Sequence, residues 1–367
     1  MSGPSFDREA IRFRPLAERK NKVQAPRDLV MPDQPGKPLP APAAETLGEL
    51  ADRIKAARSA GSSVVCAFGA HAIKNGLGPV LGSLMSGGWL THLATNGAGI
   101  IHDWEIAFQG ATSEDVRENV ARGEFGIWEE TGRYLNLAIL VGAYEGLGYG
   151  QAVGALIANQ GLTVPRVDEL RRRVTRLLRE HPDKAAAGAD LLCALETQDI
   201  PSGFLKVPHP FKQFSAQAAA RALSVPFTGH PSIGHDIIYT HPVNSGAAIG
   251  RAAVRDFLTF TGSISRLENG VYLSVGSAVM SPMIFEKAFS MAQNVALQSG
   301  KPIRNHYILV VDLAESTWDW QRDGEPPADS PGYYLRFCKT FARMGGSMRY
   351  VRADNRDFFL SLLRALG

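Results

Sequence analysis

Residues 90–110, LTHLATNGAGIIHDWEIAFQG, constrain the fold more than any other part of the chain. The stretch opens as a short apolar strand over 90–94, breaks at Thr95-Asn96-Gly97-Ala98-Gly99, and resumes as an amphipathic run from about Ile100. Strand, glycine turn and helix in that order form the unit from which parallel α/β sheets are built. Such a turn leaves backbone N–H groups free at a helix N-terminus, where the local field favours a phosphate or carboxylate. The first helical turn adds His102, Asp103 and Glu105, three titratable groups directly after an anion-friendly loop. Gly97-x-Gly99 lacks the third glycine of the dinucleotide fingerprint, and no acidic residue closes a following strand. Taken alone, the stretch is equally well explained as a tight strand-to-helix connection with solvated first-turn side chains.

The same unit recurs down the chain. Residues 63–68 (SVVCAF) read as a strand, a polar turn with His71 and Lys74 follows, and 77–85 has helical apolar spacing. A strand at 225–227 leads into a loop with His230, His235 and Asp236, and His241 lies just beyond. A helix over 244–264 and a strand over 271–275 come next, then the small-residue turn Gly276-Ser277-Ala278 and a helix over 282–298. The run YILVVDL at 307–313 is a buried strand ending near Asp312, 331–343 is a helical run containing Lys339, 348–351 is a last strand, and a closing helix starts at Asp354. The alternation predicts α/β class: a single large domain over 44–367 with a mostly parallel, doubly wound, Rossmann-like sheet. The turns holding His71, Lys74, Thr95 and Asn96 should share the carboxyl edge of that sheet, where open α/β folds bind ligands.

Residues 1–43 read as an extended, proline-rich N-terminal arm, because proline removes backbone donors, and the arm is expected to lie on a neighbouring subunit. Thr46 is a candidate N-cap for a helix over 46–60, and Ser113 for a short helix through 120. The apolar run 134–157 carries Asn136, Glu145, Gln151 and several glycines, and Glu145 at mid-bilayer would cost several kcal/mol. A buried helix pair is the better account. In 167–179, arginines at 171, 172, 173, 176 and 179 surround an apolar stripe, the pattern of a solvated helix face. The formal charge is +3, and the arginines do not alternate with aromatics, which sets nucleic acid aside. The three cysteines are far apart with no CxxC pair, and no apolar leader precedes the arm, so a cytoplasmic setting is expected without a membrane partner.

In order along the chain, these turns resemble deoxyhypusine synthase. Thr95 to Asp103 resembles that family's T-T-A-G-G-V-E-E-D loop, and Val225-Pro226-Phe227 with the loop from His230 to His235 resembles its P-V-F and D-G-S-x-G-D segments. Gly276-Ser277-Ala278 resembles its triple-glycine strand end, 310–314 its strand ending in N-T-A, and Arg352-Ala353-Asp354-Asn355 its Y-A-D-A segment. Phe337-Cys338-Lys339 resembles its W-G-K segment, whose lysine forms an imine with the substrate's aminobutyl group. The family's catalytic histidine falls on Pro282, and its polyamine carboxylates become Ile101, His102, His230 and His235. A second resemblance is to the NAD-binding domain of bifunctional arginine dihydrolase and ornithine cyclodeaminase proteins, through a G-N-A-x-A-V-H-D-I-E stretch matched by residues 97–105, with the His-Asp-x-Glu pattern shared.

Jointly the resemblances imply NAD, hydride chemistry at an amine carbon, a small amine or amino acid as substrate, and a homotetramer. They imply cofactor contacts from His71, Thr95, Asn96, Gly97, Gly99, Gly276, Ser277 and Asp312. The expected catalytic set is Lys339 as imine-forming nucleophile, His102 or His235 as general base, Asp103 or Asp236 orienting it, and Glu105. Two other readings stand beside this one: a metal-dependent hydrolase or lyase using His230, His235, Asp236 and His241, and a non-catalytic ligand-binding homologue, suggested by Pro282.

Overall fold

The computed structural model describes residues 6–367, apart from the side chain of Arg336. Six strands form one parallel sheet: β1 (Val64–Phe68), β2 (His92–Asn96), β3 (Phe227–His230), β4 (Val271–Val275), β5 (Tyr307–Asp312) and β6 (Ser347–Arg352). Their order across the sheet is 3-2-1-4-5-6, the doubly wound dinucleotide-fold order. Strands buried on both faces need no polar alternation, which is why β1 and β4 read as continuous runs and every residue of each is buried. The register sets Phe68 beside Thr95 on one side and beside Val275 on the other, and pairs Asn96 with His230, so the three turns after β1, β2 and β4 leave from one edge.

Helices cover both faces. Leu50, Ile54, Leu81, Leu84, Ile100, Trp104 and Phe358 pack with Cys66 and Leu93 on one side. Phe260, Ile264, Phe285, Phe289 and Phe341 pack with Val65, Tyr272 and Ile308 on the other. The run at 134–157 divides into the helices Glu129–Glu145 and Tyr149–Asn159, joined at Gly146 with φ +88 and touching where Gly142 meets Ala152. Leu135, Leu137, Ile139, Val153 and Ile157 are buried within the chain itself. No helix among the described residues is long and apolar enough to cross a membrane.

Several local expectations give way to longer-range contacts. The first long helix is Ala41–Ser59, with Pro42 in its first turn, where the missing N–H costs nothing; Thr46 lies inside and donates its hydroxyl to the Pro42 carbonyl. The helix after β2 begins at Gly97, because Asn96 Oδ1 caps the Gly99 N–H at 2.9 Å. Ser113 is not an N-cap. It belongs to a strand, Ala111–Glu114, paired antiparallel with Asn21–Gln24, and the cap passes to Asp115, which accepts from the Glu118 N–H.

That pairing places the arm on its own chain. Leu16 is buried, Phe13 packs on His241, and the Arg8 guanidinium reaches the Tyr239 carbonyl and Asn244. An insertion between β2 and β3, a helix pair Val167–Glu180 and Pro182–Thr197 with a two-stranded sheet of Gly161–Val164 and Gly203–Lys206, has only its first helix in the sequence reading. On that helix Arg171 pairs with Glu196 and Arg173 stacks on Tyr144, an exposed charged face.

Candidate functional site

At the carboxyl edge the turns after β1 and β4 touch backbone to backbone. A Cβ on Gly69 would lie 2.1 Å from the Gly276 carbonyl oxygen, so only glycine lets the loops cross at the topological switch point. A cavity opens on each side of the short helix His71–Lys74 that follows.

The first, of about 240 Å³, lies toward β4–β6 and is lined by His71, Asn75, Gly276, Asp312, Leu313 and Asn355 among others. Gly276 has φ +57, and a Cβ there would meet nothing within 4 Å, so bare backbone faces open space. Asn75 donates to Asn355 Oδ1 at 2.9 Å across the floor, and Asp312 caps the Ala314 N–H at 3.0 Å. His71 is pushed below the ordinary imidazole range by burial, then by Lys74 and His102. Ser277 turns away and accepts from the Ser281 N–H at the start of the helix Met280–Gln298.

The second cavity, of about 180 Å³, lies toward β2–β3 and is lined by Arg19, Lys74, His102, Glu105, Glu114, His235 and Asp236 with a few apolar neighbours. Glu105 is saturated. It takes both guanidinium nitrogens of Arg19 at 2.7 Å, the Thr112 hydroxyl at 2.5 Å and the Thr131 hydroxyl at 3.2 Å. Burial alone would raise its carboxyl, but Arg19 and His102 outweigh it and hold the group well below the usual carboxylate range. Since Thr112 spends its only proton on Glu105, its oxygen must accept from His102 Nδ1, 2.7 Å away. Neutral His102 therefore keeps Nε2 unprotonated, oriented by a Glu105–Thr112 pair rather than by Asp103.

Asp103 serves the fold. It accepts from Ser215 Oγ at 2.5 Å, the Ala216 and Gln217 N–H groups at 2.8 and 3.1 Å, and Gln217 Nε2 at 3.0 Å, fastening the start of the helix Ala216–Ala222. Thr95 and Gly99 are structural in the same way: the Thr95 hydroxyl donates to Phe68 O and occupies the space a Gly99 Cβ would need.

Asp236 is the opposite case. Its Oδ2 is buried without a hydrogen-bond partner among the described residues and lies 1.9 Å from where a Gly97 Cβ would sit, on the N-terminus of the helix Gly97–Gln109. The anion place read from the glycine turn is thus taken by the chain's own carboxylate. Burial raises Asp236 to about 6, opposed by His235 and the Ala98 N–H. Lys74, on the other wall, has no ion-pair partner among the described residues.

Lys339 lines neither cavity. Its ammonium lies 3.7 Å from the centroid of the Tyr333 ring and 3.6 Å from Glu325. His230 and His92 share Thr228 Oγ1, each at 2.9 Å, inside the core, and burial lowers both to about 3. His241 is turned to Glu129 at 3.3 Å, so the histidines of the β3 loop do not converge. No group of three His, Cys, Asp or Glu side chains among the described residues is placed to hold a metal. A further groove of about 530 Å³ beside Val225 and Phe227 sits where β3 begins, away from the carboxyl edge. The sequence reading missed Arg19 and Glu114; the one available signal was a charged segment broken by Leu16 in an otherwise proline-rich arm.

No family profile matches the sequence, and no curated protein matches it. Solved structures similar to it include the apo form of ArgZ, an arginine dihydrolase from cyanobacteria, at 14% identity over 88% of this chain and 32% of that one, with a TM-score of 0.39. AgrE in a ternary complex with ornithine and NAD+ matches at 14% identity over 88% and 33%, with a TM-score of 0.41. A putative LOR/SDH protein of Methanococcus maripaludis S2 matches at 11% identity over 93% and 72%, with a TM-score of 0.42. The chain spans about a third of the length of the ArgZ and AgrE chains.

Proposed function

We propose that this chain is an NAD-dependent enzyme acting on a small amine or amino acid, with the cofactor in the crevice beside Gly276 and the substrate in the cavity beside Asp236. The observation that supports it most is the pair of cavities meeting over His71–Lys74 at the sheet's switch point, where a carboxyl with one bare oxygen and an ammonium without an ion-pair partner among the described residues face one of them. The crevice suits part of a dinucleotide: Gly276 offers backbone to a close-approaching phosphate or ribose, and His71, Asn75 and Asp312 supply polar contacts. NAD when bound supplies a hydride acceptor. The chain's own residues do the rest. Asp236 pairs with the substrate ammonium, Lys74 with its carboxylate, and His102 Nε2 takes the amine proton as the carbon is oxidised, the resulting imidazolium being stabilised through Thr112 by Glu105.

The deoxyhypusine-synthase resemblance adds an imine-forming Lys339 and a homotetramer. Lys339, held by Tyr333 and Glu325, has no part in this reading. The assembly is retained: the 134–157 run is internal, and exposed Val254, Leu258, Met291 and Val295 on the helices Gly246–Ile264 and Met280–Gln298 offer the apolar surface for it. Light scattering at micromolar concentration should give a mass of four chains, and a mass of one chain removes the tetramer.

The cofactor is tested by thermal unfolding. Millimolar NAD should raise the midpoint of the wild type by mass action and leave Gly276→Val unmoved. If neither NAD nor NADP moves the wild-type transition, the reading fails.

A further inference from the structure

The cavity beside Asp236 is lined by three acids, Glu105, Glu114 and Asp236, and their hydrogen bonds decide which cations it can still accept. Glu105 spends its lone pairs on both guanidinium nitrogens of Arg19, on Thr112 and on Thr131. Glu114 is filled in the same way: Asn119 Nδ2 donates to one oxygen at 2.5 Å, the Gly126 N–H donates to the other at 3.2 Å, and the Trp128 indole nitrogen lies 3.1 Å from both. A carboxylate accepts about four hydrogen bonds, so neither has a place left. Arg19, 2.7 Å from Glu105 and 4.0 Å from Glu114, is counter-ion to both. The acids that flank this lining in sequence are engaged as well: Asp115 with Lys22 at 2.9 Å, Glu118 with Arg122, and Glu124 with Arg14. Among the described residues of the lining, only Asp236 keeps a buried carboxyl oxygen without a hydrogen bond.

Much of the remaining lining is hydrocarbon. Ile101 is buried, Val116 and Phe125 are 52% and 39% exposed, and Ala98 and Ile237 complete it. Large apolar side chains left open on a cavity are matched by an apolar part of whatever binds there. Ser113, whose backbone has φ +70, adds a hydroxyl, which neutralises no charge, and the other polar groups, Lys74, His102 and His235, include no anion. The volume of about 180 Å³ lies below the ~300–1,000 Å³ of sites for drug-sized ligands, so the ligand is small.

We infer that the cavity takes an α-amino acid with an uncharged aliphatic side chain and rejects diamino acids. This rests on the proposed roles of Asp236 and Lys74: with the ammonium on Asp236 and the carboxylate on Lys74, the side chain is left to the wall of Val116, Phe125 and Ile237. A second ammonium group, as in ornithine, meets either that hydrocarbon or the filled carboxylates of Glu105 and Glu114. It loses water without gaining an acceptor, which is unfavourable, and Lys74 and Arg19 repel it. A methyl group in the same place loses nothing and covers apolar surface. Selection between the two side chains thus comes from acids that are present in the cavity but already spent.

Norleucine and ornithine make a matched pair for the test, since a terminal methyl in one stands where the other has an ammonium. Isothermal titration calorimetry of the full chain with each, in the presence and absence of NAD, should show norleucine bound and ornithine weaker by about tenfold or more. Val116→Asp places a carboxylate on the apolar wall at an exposed position in the first turn of the helix Val116–Arg122, where an acid is tolerated, and should shrink or reverse that ratio. Ornithine binding as tightly as norleucine to the wild type overturns the inference and leaves an amino-acid enzyme standing. A ratio that Val116→Asp does not change overturns it too, because the side chain then lies elsewhere. If neither amino acid binds at millimolar concentration, the inference falls together with the substrate half of the proposed function, while the thermal shift by NAD stands as a separate result. A preference for norleucine in a protein that NAD does not stabilise leaves the inference intact and removes only the cofactor.

Discussion

Two of the carboxyls lining one cavity have opposite fates. Glu105, on the wall closed by the arm, is 1% exposed, holds four hydrogen bonds and is pushed below the usual range. Asp236, on the wall supplied by the β3 loop, has a bare oxygen and is pushed up to about 6. Burial is common to both; partners differ. A carboxylate with every lone pair engaged positions others, as Glu105 does His102 through Thr112, whereas one left bare at helix-start backbone keeps capacity for a ligand or a proton.

The sharpest way to break this contrast is to strip Glu105 of its partner. Arg19→Ala leaves a buried carboxylate uncompensated and should cost about 3–5 kcal/mol of unfolding free energy, with part recovered in Arg19→Ala/Glu105→Gln. Urea titration of the two variants measures it. If Arg19→Ala unfolds like the wild type, the saturated wall is not a structural element.

A smaller effect of opposite sign is expected at the other wall. The folded Asp236 is raised above its unfolded value, so its contribution is fully present below about 4 and is lost as pH rises through about 6. Asparagine copies the protonated form, so Asp236→Asn should match the wild type near pH 4 and exceed it by ~3 kcal/mol at pH 8. The buried histidines His92 and His230, lowered to about 3, act the other way, their contribution being lost as pH falls below about 6.5, but they cancel in the difference between the two proteins. An Asp236→Asn advantage that does not grow with pH would remove the contrast.

Strands β1, β4 and β5 were legible because double burial writes itself as apolar runs, and the turns between them because glycine marks close backbone approach, as at Gly69. The helix start near residue 97 was misjudged by a single turn, since the Asn96 cap is local but works against glycine's poor helix propensity. Ser113 misled for a different reason: its cap-like neighbourhood is overridden by pairing with Asn21–Gln24, some ninety residues away in sequence, which no local pattern encodes. The cavity was half legible. His102 and Asp236 stand in recognisable turns, but the meaning of Glu105 depends on Arg19, and that of Asp103 on Ser215 and Gln217. A carboxylate's role is fixed by the donors around it, and those come from distant segments.

The arm's docking also bears on the order in which the molecule assembles. Arg19 waits for a partner 86 positions on, and Arg8 for carbonyl groups more than 230 positions on. Contacts of such separation carry the greatest loop-closure entropy and form late. Trp128, whose indole donates to Glu114 beneath the Arg19 guanidinium, sits where that last event happens. During refolding the parallel sheet and its crevice should therefore be in place while the cavity beside Glu105 is still open to water, and the closing of the arm should appear as a final, separate change in tryptophan emission.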